Sequence, residues 1–268
     1  MRRSAILFFL FLSFAALAQK PDPPAALDSD AEQEIFRLVN LERARAGLTS
    51  LRFDSSLQKA ARAHSRIMAD GRQLSHEFGA EPRFDRRLAL AGASFDVSGE
   101  NVAFNQSADL AHRALMASPG HRKNILQPDF NSVGIGVIRV GPDIWVTQDF
   151  AREFERQTEV EARNQVIAAF ERARRDAKLP PVAVTDEPRL QTLTCQMAKV
   201  GELDSKTPLG WTTIRSATSY TESDLSHLPS TAMSLVTNPT VLRISVAVCF
   251  GKSTKYESGM NWIAIAAY

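Results

Sequence analysis

The strongest constraint in this sequence is a pair of apolar runs late in its first half. Val133 to Val140 (VGIGVIRV) and Ile144 to Phe150 (IWVTQDF) are separated only by Gly141-Pro142-Asp143. Two β-prone segments joined by so short a turn-forming connection fold back on each other as an antiparallel hairpin. An isolated hairpin is marginal in water, so its faces must be covered by something else in the chain.

The segments before it supply helices for that purpose. Ser29 and Glu32 stand at capping-box spacing ahead of Ile35, Leu38, Val39 and Glu42, and Gly47 stops the run. From Asp54 and Ser55 onward, Leu57, Ala60, Ala61, His64, Ile67 and Met68 fall on one helical stripe that Gly71 ends. A loop rich in glycine, proline and charge then runs to about Ser98 and holds His76. A third helix is predicted over Asp109 to Met116. Ser118-Pro119 has the cap-then-proline order that opens a short helix, with His121 in its first turn and Pro128 closing it. Helices followed by a late hairpin predict an α+β layer sandwich.

Composition sets the class. Hydrophobic residues make up 44% and charged residues 23% of the 268, as in globular proteins, which speaks against disorder and against a helical membrane bundle. The formal charge is +2, and Arg2 and Arg3 account for it, so the rest of the chain carries no basic footprint for nucleic acid. Those arginines precede an apolar run from Ala5 to Phe14 and then Ala16-Leu17-Ala18. This is the pattern of a secretory leader, and cleavage after Ala18 with export is the expectation. No membrane-spanning segment is expected after its removal. A proline-bearing linker (19–29) follows, then a first domain (30–153) and a second (160–268).

The second half echoes the first. Glu42-Arg43-Ala44-Arg45 recurs as Glu171-Arg172-Ala173-Arg174, and Leu57-Gln58 as Leu190-Gln191, a correspondence that puts Met197 where His64 stands. Arg243 to Phe250 and Asn261 to Tyr268 resemble the two hairpin strands. The alternative is chance similarity between exposed helices. Cys195 and Cys249 are the only cysteines, and either one disulfide or two buried thiols would suit them.

Three segments place polar groups where packing does not ask for them: ARAHSRIM with His64, SGENVAF with Glu100, and SPGHRKNIL with His121. Singly, each has a plain reading. His64 reads as a satisfied core histidine, His121 as a surface residue at a helix start, and Glu100 as a carboxylate that ties down a loop. Together they resemble the CAP superfamily (cysteine-rich secretory, antigen 5 and pathogenesis-related proteins, the SCP domain) in its bacterial secreted form, over about residues 31 to 151. The family's parts arrive in order: VNLERARAGLTSLRFDSSLQKAARAHS, GENVAF, SPGHRKNILQPDFNSVGIGV, and a tryptophan-bearing strand ending TQDF.

The resemblance implies a three-layer α/β/α sandwich with a central cleft, followed by a degenerate second copy. His64, Glu100 and His121 match three of the family's four cleft residues, and His76 is a further cleft candidate. The fourth, acidic member has Ser118 in its place, and Leu115 replaces the tryptophan usual in that helix. Family members bind a divalent metal such as zinc through two histidines, which makes His64 and His121 the metal candidates here. Two functions follow as expectations. One is an extracytoplasmic module that binds a peptide, glycan or lipid of the cell envelope or the medium. The other is a metal-assisted hydrolase, with Glu100 as the general base that activates metal-bound water. Other templates fail, because Ser118 lacks a GxSxG frame and His76-Glu77 has no second histidine at HExxH spacing.

Overall fold

The computed structural model describes residues 24–268; the leader lies outside the described residues. Its first half is built on a sheet of β1 (Ala26–Leu27), β2 (Arg52–Phe53), β3 (Phe95–Asn105), β4 (Ser132–Val140) and β5 (Asp143–Glu153). The strand order is β1-β4-β5-β3, with β2 running parallel along β4. The hairpin β4–β5 is antiparallel with Val133 opposite Phe150, and β3 lies on its far side with Glu100 opposite Asp149.

Alternation along the strands gives the sheet two buried faces. Val133, Ile135, Val137, Val146 and Phe150 pack against α1 (Ser29–Arg45), α4 (Ala108–Ala117) and α5 (Pro119–Ile125). Val102, Ile138, Trp145 and Ala151 turn the other way, toward α2 (Ser55–Gly71) and α3 (Phe84–Ala91). The result is the α/β/α sandwich that the resemblance implied. The two glycines of VGIGV set the spacing of the α2 layer. A Cβ on Gly134 would lie 2.1 Å from Gln58 N, and one on Gly136 2.3 Å from Arg62 N, so the helix backbone rests directly on the strand.

Local signals were partly right. Asp54 caps α2 through Leu57 N, but α1 is capped by Asp28, whose carboxylate accepts from Ala31 N at 3.0 Å. Ser29 is already helical. Glu32, its expected capping partner, is buried and accepts from Arg62 and from Val137 N. The segment expected to be loop as far as Ser98 contains α3 and the start of β3.

The second half contains α6 (Glu159–Asp176), β6 (Ala183–Val184), α7 (Pro188–Val200), β7 (Ser216–Glu222), α8 (Met233–Val236), β8 (Arg243–Gly251) and β9 (Met260–Ala267). Its sheet order, β6-β8-β9-β7 with β6 parallel to β8, repeats the connectivity of β2, β4, β5 and β3. A buried arginine follows the same parallel between the halves. Arg43 is fully buried and donates to the carbonyls of Thr49, Ile125, Gln127 and Phe130. Arg174, equally buried, donates to those of Pro180, Val236 and Asn238. Arg43 therefore corresponds to Arg174, not to Arg172 as the ERAR strings suggest when aligned. Cys195 and Cys249 form a disulfide that ties α7 to β8.

Candidate functional site

The site is assembled where β3, at the edge of its sheet, passes between the two helical layers. Successive β3 residues face opposite layers, so Glu100 faces α2 and α3 while Asn101 faces α5. Asn101 Nδ2 donates to His121 O at 3.1 Å and to Gln148 Oε1 at 3.0 Å. Asn124 Nδ2 donates to Glu100 O and to Asn101 Oδ1. These bonds clamp the first turn of α5 to β3 and bring His121 to the strand edge. Gly99 makes the approach possible, since a Cβ there would stand 2.9 Å from Phe130 Cζ. The SGEN and SPGHRKN motifs thus have a shared physical purpose.

The loop between α2 and α3 closes the other side. His64 lies beneath it, fully buried, with Nε2 donating to Ser75 O at 2.9 Å and Nδ1 2.8 Å from Glu81 Oε1. One residue on, His76 turns outward, and its Nδ1 donates to Glu100 Oε1 at 2.8 Å. The structure therefore brings His76, Glu100 and His121 together at the mouth, with the two imidazole centroids 6.3 Å apart. His64 is not at the mouth. The bond to Glu100 holds His76 above the ordinary imidazole range. Burial, and then the neighbouring His76, push His121 below it. The two shifts run in opposite directions, which widens the pH span over which one imidazole is protonated and the other neutral.

Three further groups were not found from the sequence. Arg87 Nη1 donates to Glu81 Oε1 at 3.1 Å and to His76 O, and Nη2 donates to Glu100 Oε2. Asp149, the cross-strand neighbour of Glu100, is completely buried, and its carboxyl is raised well above the usual range by burial and then by the Glu100 charge. Arg87 and Glu81 sit in the segment taken for loop. Asp149 did carry a signal, because Thr147-Gln148-Asp149 is a polar triplet inside an apolar strand, and all three are fully buried. Ser118 precedes α5 without a side-chain cap bond, and Leu115 packs in the core. The second half touches the first at Phe95 O, which accepts from Ser258 Oγ, and at Arg86, which pairs with Glu257. His76 remains half exposed.

Residues 36–150 match the cysteine-rich secretory protein family, CAP. The chain carries a CAP domain. Over 140 residues it is 36% identical to the uncharacterized protein YkwD of Bacillus subtilis, a match that covers 50% of this chain and 53% of YkwD. The chain thus spans about half the length of this CAP relative. An extracellular protein containing an SCP domain from Bacillus anthracis is 31% identical, with a TM-score of 0.45 over 47% of this chain and 41% of that one. Na-ASP-1 shares only 8% identity but superposes with a TM-score of 0.50 over 89% of both chains, which extends the fold likeness into the second half. NaASP2, solved with Zn2+, is 11% identical with a TM-score of 0.36 over 47% of this chain and 81% of its own. Among the described residues of this CAP protein, one group of three potential ligand atoms falls within 4.8 Å: Glu159, Cys195 and Cys249. Its two sulfurs are joined in the disulfide and offer no thiolate.

Proposed function

We propose that this CAP protein is an extracytoplasmic binding module. Its ligand is a polar peptide or glycan that meets His76 and His121 at the mouth of the cleft. The observation that carries this reading is that the buried groups behind the mouth are already committed to one another. Glu100 gives one oxygen to His76 and the other to the Arg87 cation, and these donors lower its basicity toward a water. His64 has both ring nitrogens against the loop. A divalent metal on His64 and His121 does not fit these residues, because His64 is fully buried with Nε2 bonded to Ser75 O and Nδ1 2.8 Å from Glu81 Oε1, and the Arg87 cation already compensates Glu100. Such a set fixes the His76 imidazole in place, while Asn101 holds the His121 backbone beside it, as in a preorganised recognition site. The polar mouth favours a peptide or glycan over a lipid. The secretory leader pattern, the disulfide and the extracellular SCP relative support export.

The test is an NMR titration of the mature chain, observing the histidine Cε1–H resonances, with soluble glycan–peptide fragments of cell wall as the probe. Saturable shifts of His76 and His121, with affinity lost at least about tenfold in H76A and H121A, are expected. Hydrolysis of the fragments that stops in E100Q would overturn the reading in favour of the hydrolase. Zinc binding removed by both H64A and H121A would overturn the argument about the metal.

A further inference from the structure

Behind the mouth, the balance of buried charge is unusual. Glu81, Glu100 and Asp149 place three carboxyl groups in one water-poor cluster, and each is less than a tenth exposed. The fixed cation among them is Arg87, and both of its terminal nitrogens are spent on Glu81 and Glu100. Among the described residues, no donor reaches either oxygen of Asp149. The elements packed around Asp149 offer no other charge to meet it. β4 puts Gly134 opposite it in register, and β3 puts Glu100 on the other side. α2 contributes His64, whose Nε2 is bonded to Ser75 O and lies 3.9 Å from Glu100 Oε2 and whose Nδ1 faces Glu81, and α3 contributes Arg87.

An ionised carboxylate buried without a cation or a donor is far too costly to persist, and such a group takes up a proton instead. Once neutral, Asp149 has a hydroxyl to donate, and the acceptor standing across the strand pair is Glu100. We infer that Asp149 is the neutral acid of this cluster at neutral pH, that its hydroxyl donates a hydrogen bond to the Glu100 carboxylate, and that it is thereby a positioning residue for the His76–Glu100 pair. Glu100 then holds three donors, from Arg87, His76 and Asp149, and its orientation is fully determined. The proton also spares the cluster a third anion beside Glu81 and Glu100. The inference deepens the binding reading above, but it concerns the protonation of the free protein, so a failed ligand screen would leave it standing.

The decisive variant is D149N, which preserves shape and a donor while abolishing the acid. Infrared difference spectroscopy of the wild type at pH 7 is expected to show a protonated carboxyl band that is absent in D149N and retained in E81Q. By NMR, the His76 midpoint is expected to stay within about 0.3 of a unit in D149N, since no charge is removed. If Asp149 were ionised, deleting its charge would lower the His76 midpoint by about one unit. Linkage supplies a third reading. An acid protonated in the fold but ionised when unfolded weakens the fold as pH rises, so the unfolding equilibrium of the wild type should grow relative to D149N by about tenfold per pH unit above the ordinary carboxyl range, up to the folded-state midpoint. A missing infrared band in the wild type, or a one-unit fall of His76 in D149N, would overturn the inference. The wild-type spectrum decides the matter even if the variant fails to fold.

Discussion

Arg43 and Arg174 allow a prediction in which one half of the molecule is the control for the other. Both guanidinium groups are fully buried without a carboxylate partner and are held by carbonyls that precede the long central strand of each sheet. Replacing either with Met removes the charge and leaves those carbonyls unbonded. In Arg43→Met, the bonds to Ile125 O and Phe130 O are lost from buried positions, while Thr49 O and Gln127 O are partly exposed and can be rehydrated. At about 1–3 kcal/mol for each buried group left unsatisfied, the loss is about 4 kcal/mol. In Arg174→Met, only the Val236 O bond is buried, and Nη2 already lacks a partner, so the loss is about 2 kcal/mol. Relief from burying the cation offsets both values by similar amounts, so their difference, about 2 kcal/mol, is the firmer number. Urea unfolding followed by circular dichroism, at unchanged m, measures it. Equal losses in the two variants, or a larger one in Arg174→Met, would refute the carbonyl-counting argument.

Two other expectations follow from buried groups away from the cleft. His112 on α4 is buried with neither ring nitrogen bonded, and burial lowers its midpoint. Its contribution is therefore present above the ordinary imidazole midpoint of about 6.5 and is lost as pH falls, at up to about 1.4 kcal/mol per unit. His112→Leu should flatten that part of a stability–pH curve recorded between pH 7 and 5, and an unchanged slope would count against the assignment. The Cys195–Cys249 disulfide closes a separation of 54 residues, worth about 4 kcal/mol by loop entropy. Reduction, or the double alanine variant, should lower Tm by on the order of 10 °C; a loss under about 2 °C would show the link to be dispensable.

What the sequence revealed and what it hid divide along one physical line. Apolar patterning was legible: the α2 stripe follows from helical spacing, and the β4–β5 hairpin from two apolar runs joined by a short turn. β3 lacked such a signal. With helices on both faces, Glu100, Asn101, Val102 and Ala103 are all buried, so polar and apolar residues follow one another without alternation. α3 was masked by its charges, since Asp85, Arg86 and Arg87 read as loop although Arg87 points inward to the carboxylates. The same inversion set His64 ahead of His76. A histidine inside an apolar stripe looked like a cleft residue embedded in a helix, but it is a buried strut for the loop. The more weakly signalled His76, on that loop, is the one presented to solvent.

The second half turns this distinction into an argument about purpose. The strand pairing that sets Glu100 opposite Asp149 in the first sheet sets Ala217 opposite Ala266 in the second. Met197, buried in an apolar cluster, stands where His64 would be. The scaffold features remain: the buried arginine, the short parallel strand, and Trp262 at the register position of Trp145. The same architecture is thus built once around an ionised cluster and once around apolar side chains. Replacing a buried ionic network with well-packed apolar groups is often neutral or stabilising, and the second half has made that replacement without losing its sheet order. The fold therefore does not require Glu81, Arg87, Glu100 and Asp149. Their presence in the first half burdens the core with desolvated charge, and the return on that burden is the fixed placement of His76 beside His121.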